Sequence, residues 1–122
     1  MCGRVKIKQG CTCIPVEVKD ISHIEAGKGN FVYVYLANGN KYKVWKILGE
    51  WEADKEIIAS GLFISAGRSF LLNWREVFSY DKTNGALMKN KNTVPLNAEG
   101  FEELEKRFFS DNASPDSPSK PK

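Results

Sequence analysis

Short runs of alternating apolar and polar residues fill much of the first 45 positions, and this pattern is typical of β-strands. The Asn-Gly pair in ANGN (37–40) favours a tight turn and predicts a hairpin between the runs on either side. In the run before that turn, the aromatic side chains would share one face of the strand and the aliphatic side chains the other. The predicted strands are VKIK (5–8), CTCIPVEV (11–18), ISHIEA (21–26), FVYVYL (31–36) and KYKVW (41–45).

The period of the apolar positions changes to that of a helix after residue 45. Gly49 would weaken such a helix by about 1 kcal/mol relative to alanine, so it should be short and depend on packing. The pattern predicts a helix near residues 46–58, with an inward side made of Ile47, Leu48, Trp51 and Ile58. Strands are predicted again at LFIS (62–65), EVFSYD (76–81), ALMK (86–89) and TVPL (93–96).

A second helix is predicted at residues 98–109, with Asn97 as its N-cap. Apolar residues at helical spacing would form its buried stripe, which consists of Phe101, Leu104 and Phe108. The hydrophobic core of the whole domain is expected to contain Ile24, Val32, Val34, Trp51, Phe63, Phe70, Leu72, Val94, Phe101 and Leu104.

The composition fits a single globular domain, because 42% of the 122 residues are hydrophobic and 27% are charged. Residues 111–122 contain no large apolar side chain and three of the five prolines, so we expect a domain over residues 1–110 and a disordered tail. No apolar run could span a bilayer and no signal peptide is present, so a cytoplasmic protein is expected. The formal net charge of +3 permits an anionic partner without requiring one.

Cys11 and Cys13 form a Cys-x-Cys pair in a predicted strand, which would place both thiols on one side. A zinc site needs about four ligands, and the chain adds only Cys2 and His23. We therefore expect reduced, structural cysteines and no metal or cofactor. An N-terminal Cys2 nucleophile is the alternative, although nothing later in the sequence supplies the partner groups it needs. No acid, base and nucleophile are spaced for catalysis, so an enzyme is not expected.

Residues 4–109 resemble the LytTR DNA-binding domain of bacterial transcription regulators. Three segments carry the resemblance: IPVEVKDISHIEAGKGNFVYVYLANGNKYKV, LFISAGRSFLLNWREVFSYD and TVPLNAEGFEELEKRF. They match, in order and spacing, the family motifs D-I-x-x-I-E and F-x-R-x-H-R-S-[FY]-x-V-N and a final strand-to-helix turn. The matching residues are Asp20, Ile21, Ile24, Glu25, Phe63, Arg68, Ser69, Phe70, Asn73, Val94 and Pro95.

The resemblance implies a mainly β fold, an elongated β-β-β arrangement of small antiparallel sheets with two short helices. It also implies that loops, and not a recognition helix, enter successive major grooves of double-stranded DNA. The three loops that would read the DNA are Lys28–Asn30, Gly67–Ser69 and Asn97–Glu99. The candidate DNA-binding residues are Lys28, Asn30, Arg68, Ser69 and Asn97.

Arg68 is the central candidate, because a planar guanidinium bonds two acceptors on one guanine edge. Asn30 would pair with an adenine edge, and Lys28 would contact a phosphate. The alternative is that Arg68 is an exposed residue at a strand edge, or pairs with a glutamate of the last helix. The residues alone favour that alternative, whereas the resemblance favours contact with DNA.

Four positions depart from the family's pattern, and the departures reduce positive charge. Ser65 and Gly67 stand where Arg and His are common. Ala98 and Glu99 stand where Arg and a second basic or polar residue are common. Because salt-dependent affinity scales with the number of phosphates neutralised, DNA binding should be weaker and less salt-dependent than is usual in the family.

Two functions follow as alternatives. The first is a sequence-specific transcriptional regulator of the single-domain type, with no receiver domain in this chain and hence no aspartate phosphorylation switch. Its partner would be promoter repeats in double-stranded DNA, and a homodimer on that DNA or a regulatory protein partner could add to it. The second is a protein-interaction module of the same fold, which would bind a partner through the exposed aromatic strand Phe31–Tyr35.

Overall fold

The computed structural model of the protein describes residues 3–109, so Cys2 and the tail predicted at 111–122 lie outside the described residues. Within that range the strands are β1 (Arg4–Gln9), β2 (Thr12–Glu17), β3 (Ile21–Ala26), β4 (Val32–Leu36), β5 (Lys41–Val44), β6 (Phe63–Gly67), β7 (Phe70–Asn73), β8 (Val77–Asp81), β9 (Gly85–Met88) and β10 (Thr93–Val94). The α-helices are α1 (Leu48–Glu52), α2 (Lys55–Ser60) and α3 (Ala98–Phe109).

The strands in the described residues form three antiparallel sheets. β1 and β2 pair as a hairpin, β5-β4-β3-β7-β6 form a five-stranded sheet in that order, and β10-β9-β8 form a three-stranded sheet. The predicted Asn-Gly hairpin joins β4 and β5, and Gly39 has a φ of 96° in its turn. The expectation of a mainly β fold built from small antiparallel sheets is therefore confirmed.

Two clusters of buried side chains hold these sheets together. The first cluster joins the β1–β2 hairpin, α1 and α2 to one face of the five-stranded sheet. The second cluster joins β6 and β7 to the three-stranded sheet and α3. Seven residues predicted for the core are fully buried: Ile24, Val32, Val34, Trp51, Leu72, Val94 and Leu104.

Three of the predicted core residues are only half-buried, and for these the prediction was wrong: Phe63, Phe70 and Phe101. Phe63 and Phe70 are the first residues of β6 and β7, and Phe101 lies in the first turns of α3. At the ends of an element, fewer neighbours cover a large ring. Phe63 and Phe70 pack on the edge of the core, Phe101 meets the Tyr80 ring edge to face, and all three keep part of their surface exposed.

The prediction of one continuous helix near residues 46–58 was wrong. The structure has two helices there, α1 and α2, separated by a break at Asp54. The Asp54 carboxylate accepts the backbone N–H groups of Glu56 (2.8 Å) and Ile57 (3.3 Å), so it caps the start of a new helix. The new helix buries Ile57 and leaves Ile58 63% exposed, so the prediction that Ile58 faces inward was wrong. The described residues thus contain three α-helices and not two.

Phe70–Asn73 form β7, a strand that the alternation pattern does not predict. Leu71 packs into the first cluster and Leu72 into the second. A strand buried on both faces shows a continuous apolar run and no alternation. β7 therefore joins the two clusters at the centre of the molecule.

The cysteines are peripheral in the structure. Cys11 lies in the turn between β1 and β2 and not in a strand, and Cys13 lies in β2; both are exposed thiols outside any disulfide. Across residues 3–109, no group of three or more His, Cys, Asp or Glu side chains is arranged to hold a metal ion. Over the same range, no helix is both long and apolar enough to cross a membrane.

Candidate nucleic-acid interface

The loop between β3 and β4 carries the exposed residues Lys28 and Asn30. The Gly27 N–H donates to the Phe31 carbonyl (3.0 Å) and closes the loop at its base. The Phe31 ring lies against Gly27 so closely that a Cβ atom there would collide with it. A glycine at this position therefore lets the ring support the loop from behind.

The Phe31 ring belongs to an aromatic–lysine face on the outer side of β4 and β5. Its members are Phe31, Tyr33, Tyr35, Lys41, Lys43 and Trp45. Phe31 and Trp45 meet edge to face at 5.2 Å, and the Lys43 Nζ lies 4.3 Å from the centroid of Phe31. The predicted segregation of aromatic and aliphatic residues along β4 is confirmed, because its valines are buried while its tyrosines are half-buried.

Arg68 and Ser69 form the tight turn between β6 and β7, and both are exposed. The turn depends on Gly67, whose φ of 148° is a backbone conformation that residues with a side chain rarely adopt. Ser65, two residues earlier, donates its hydroxyl to the Gly67 carbonyl (3.1 Å). The turn therefore directs the Arg68 side chain away from the core on a fixed backbone.

Asn97 caps α3 as predicted. Its side-chain Oδ1 accepts the Gly100 N–H at 2.7 Å. Gly100 packs against the backbone of Ala66 in β6, where an added Cβ would lie 3.0 Å from the Ala66 Cα. The start of α3 can therefore approach β6 closely, and this contact sets the position of Asn97.

Two backbone hydrogen bonds bring the three predicted loops together at one end of the five-stranded sheet. The Ala26 N–H donates to the Ser69 carbonyl (2.8 Å), which joins the β3–β4 loop to the β6–β7 turn. The Asn97 N–H donates to the Ala66 carbonyl (3.1 Å), which joins the start of α3 to β6. We call the resulting surface the loop surface, and its candidate residues are Lys28, Asn30, Arg68, Ser69 and Asn97.

Arg68 makes no ion pair with any carboxylate in residues 3–109. The pairing with a glutamate of the last helix, which the sequence left open, is absent from this part of the chain. In α3, Glu103 instead lies 3.7 Å from both Lys106 and Arg107. The Arg68 guanidinium thus keeps its full donor capacity on an exposed turn.

Lys82 is a cation near the loop surface that the sequence did not single out. It lies in the turn after β8, and it lines one cleft together with Asn97 and Ala98. Its Nζ sits 5.3 Å from the centroid of the Phe101 ring. Only the packing of α3 against the three-stranded sheet brings Lys82 to this place, so no local sequence signal could have found it.

The strands behind the loop surface contain three buried polar residues, Ser22, His23 and Asn73. The Asn73 Nδ2 donates to the Ile21 carbonyl (3.0 Å) and so ties the end of β7 to β3. His23 stacks on Tyr35 with ring centroids 4.3 Å apart, and burial lowers its pKa from 6.5 to about 4. A histidine that stays neutral here is a packing residue.

Comparisons with known proteins identify a family for this chain. The family model of the LytTr DNA-binding domain matches residues 12–109, which include β2 to α3 and every loop of the loop surface. A search of curated proteins finds no match.

Among solved structures, a similar chain is described as the LytTr DNA-binding domain of a methyl-accepting/DNA response regulator from Bacillus cereus. The two chains are 23% identical and superpose with a TM-score of 0.65, over 85% of this chain and 94% of the other. At that identity the likeness to the solved structure shows a shared fold. Membership of a family rests on the family model, which matches most of the sequence. The protein belongs to the LytTr DNA-binding domain family.

Proposed function

We propose that the protein is a sequence-specific transcriptional regulator that reads double-stranded DNA with its loop surface. The observation that carries the proposal is the convergence of three chain segments at one end of the sheet. Lys28, Arg68 and Asn97 come from different segments, and two backbone hydrogen bonds fix those segments to one another. A preorganised set of exposed donors suits phosphates and base edges, because little ordering is needed when DNA binds.

The residues have distinct roles in this proposal. Arg68 reads a guanine edge with two parallel hydrogen bonds, a geometry that the planar guanidinium fork suits well. Asn30 reads an adenine edge, and Lys28 and the Ser69 hydroxyl contact phosphates. Asn97 already uses its Oδ1 in the helix cap, so only its side-chain amide group remains to donate to DNA.

The test begins with selection of bound duplexes from a randomised DNA pool, followed by anisotropy titrations on the enriched sequence. Arg68→Ala should weaken binding by about 1–3 kcal/mol and relax the preference at one base pair. Arg4→Ala is the matched control, because Arg4 lies beside the β4–β5 turn, at the end of β4 opposite the loop surface. A pool that enriches no sequence, or equal losses in the two variants, would contradict the proposal.

The second candidate is a protein-interaction module that binds through the aromatic–lysine face. Its supporting observation is that Trp45 is 68% exposed next to Lys43, so an aromatic and a cation are both available on one sheet face. The selection distinguishes the two candidates. Under this second candidate, no duplex sequence is enriched and Arg68→Ala has no effect, whereas Trp45→Ala removes binding to the protein partner.

A further inference from the structure

A groove with a volume of about 480 Å³ runs between β8 and α3. One wall consists of six consecutive residues, 77–82. The other wall is one side of α3 and consists of Phe101, Glu105, Phe108 and Phe109. The groove belongs to neither the loop surface nor the aromatic–lysine face, so the proposed function does not account for it.

The consecutive residues show that the groove follows the edge of a sheet. Alternate side chains of a strand point to opposite faces, so a groove on one face would be lined by every second residue. β8 is the outer strand of the order β10-β9-β8, and no strand in residues 3–109 pairs with its far side. Antiparallel pairing with β9 uses the backbone N–H and C=O groups of only alternate residues of β8. The backbone groups of the other residues therefore face the groove.

The interior of the groove is aromatic. The Tyr80 ring stacks on Phe108 at 5.9 Å and meets Phe101 edge to face at 5.4 Å. Phe78 is 72% exposed and Phe109 is 67% exposed, which is unusual for large apolar side chains that lie close together. Such a grouping is typical of surfaces that bind another chain.

The charge of the groove is negative on balance. Asp81 and Glu105 line it with a single cation, Lys82. Glu102 lines the adjoining cleft, which shares Phe101, Glu105 and Lys82 with the groove. A complementary occupant therefore combines bulky apolar side chains with positive charge.

We propose that this groove binds an extended segment of a partner protein, which adds along β8 as a further strand and carries bulky apolar side chains and at least one basic side chain. Strand addition satisfies the backbone groups at the edge of β8, and the aromatic floor accepts alternate side chains of the segment. A second copy of this chain fits less well. Two copies docked through β8 would place two grooves of the same net negative charge against each other, and neither copy would supply the excess of basic side chains that the groove favours.

The experiment uses a displayed library of random decapeptides, with the whole protein as bait. Enriched sequences should alternate apolar residues with lysine or arginine, and a synthetic copy should bind the protein in solution. Phe78→Ala and Glu105→Lys should each reduce that binding at least about tenfold. Both side chains lie on the surface, so neither change should unfold the domain. Methylation of alternate peptide amide nitrogens should abolish binding, because those groups would donate to β8.

Ile58→Ala is the matched control, since Ile58 is another exposed large apolar residue but lies in α2 and does not line the groove. It should leave peptide binding unchanged. Three results would overturn the proposal: no enrichment, enriched peptides that bind Phe78→Ala as well as the parent, or a dimer that Phe78→Ala dissociates. DNA binding is measured on the same variants, so failure here is distinguishable from failure of the proposed function.

Discussion

The loop surface has two sides that are equally well fixed but differ in charge. The strand side consists of the β3–β4 loop and the β6–β7 turn, and it presents Lys28 and Arg68. The helix side is the start of α3, where Ala98 is followed by Glu99 and, one turn later, Glu102. Backbone hydrogen bonds of 2.8 Å and 3.1 Å tie these segments to the five-stranded sheet.

A DNA-binding surface needs two separate properties, correct placement of its segments and positive charge on them. Main-chain hydrogen bonds, and close packing at glycines such as Gly100, place the segments, and they do so independently of the charge on the exposed side chains. Side-chain charge then determines how strongly the placed segment attracts phosphate. We therefore expect the strand side to supply most of the affinity, and the helix side to be correctly placed but electrostatically weak.

The largest expected effect comes from removing the anchor of the helix side. Leu104 is fully buried in the second cluster, so Leu104→Ala should reduce the free energy of unfolding by about 2–5 kcal/mol. Phe101 is half-buried in the same helix, and Phe101→Ala should cost clearly less. Urea denaturation of both variants measures the difference, and a larger loss for Phe101→Ala would contradict the packing described for α3.

Acid should weaken the scaffold of the strand side through His23, which pairs with Leu72 across β3 and β7. Burial lowers the His23 pKa from 6.5 to about 4, so between these values the unfolded chain takes up a proton that the folded protein excludes. The contribution of His23 to the free energy of unfolding is therefore fully present above pH 6.5. It falls as the pH drops towards 4, by about 3 kcal/mol at most.

The measurement is urea unfolding across this pH range for the protein and for His23→Phe, which cannot titrate. The difference between the two should change with pH in that window. If the two curves run parallel, His23 is not the group responsible.

A histidine at position 67, which is common in the family, should destabilise the β6–β7 turn of the strand side. Gly67 has a φ of 148°, so Gly67→His should cost about 1–3 kcal/mol of stability even though the site is near solvent. Thr93→His places the same ring on an exposed position of β10 and should be nearly neutral. Thermal or urea unfolding compares them, and equal stability of the two variants would contradict the strained backbone.

Adding a cation to the helix side should reduce the difference in charge, and so in phosphate attraction, between the strand side and the helix side. Ala98 is exposed at the first position of α3, so Ala98→Arg should raise DNA affinity and steepen the dependence on salt by about one unit. Ala53→Arg, at the exposed end of α1, provides the same substitution away from the loop surface. Anisotropy titrations over a salt series measure both; no gain from Ala98→Arg would place α3 outside the DNA contact.

The smallest effect is expected from a single phosphate contact on the strand side. Lys28→Ala should weaken binding to all DNA sequences alike and lower the salt slope by about one unit. Lys55→Ala removes an exposed lysine of α2 and should leave the slope unchanged. A change of base preference in Lys28→Ala, without a change of slope, would show that Lys28 reads a base and not a phosphate.

Local patterns in the sequence were enough to predict most strands, because alternation and an Asn-Gly turn are imposed by neighbours along the chain. They did not predict β7, since Leu71 and Leu72 face two different clusters and the run shows no period. They also missed the break in the first helix. That break depends on the Asp54 carboxylate, which caps α2 instead of continuing the turn before it.

The candidate site was predicted from its resemblance to a family and not from residue spacing. The resemblance identified the segments around Asn30, Arg68 and Asn97, and the structure places those segments side by side. Lys82 was not predicted, because its contact with the start of α3 depends on packing between distant parts of the chain. The strained φ of Gly67 likewise follows from the turn geometry, which composition does not reveal.

The contact between Phe31 and Trp45 gives the protein an intrinsic fluorophore beside the loop that carries Lys28 and Asn30. Trp51 is fully buried and Trp74 is half-buried, so the emission furthest to the red should come from Trp45, which is 68% exposed. Fluorescence detected at the red edge of the emission band would therefore report mainly on Trp45, and so on the surroundings of the β3–β4 loop, without a dye. A ligand that displaces the Phe31 ring would change the quantum yield of Trp45, and stopped-flow mixing could follow that change in real time.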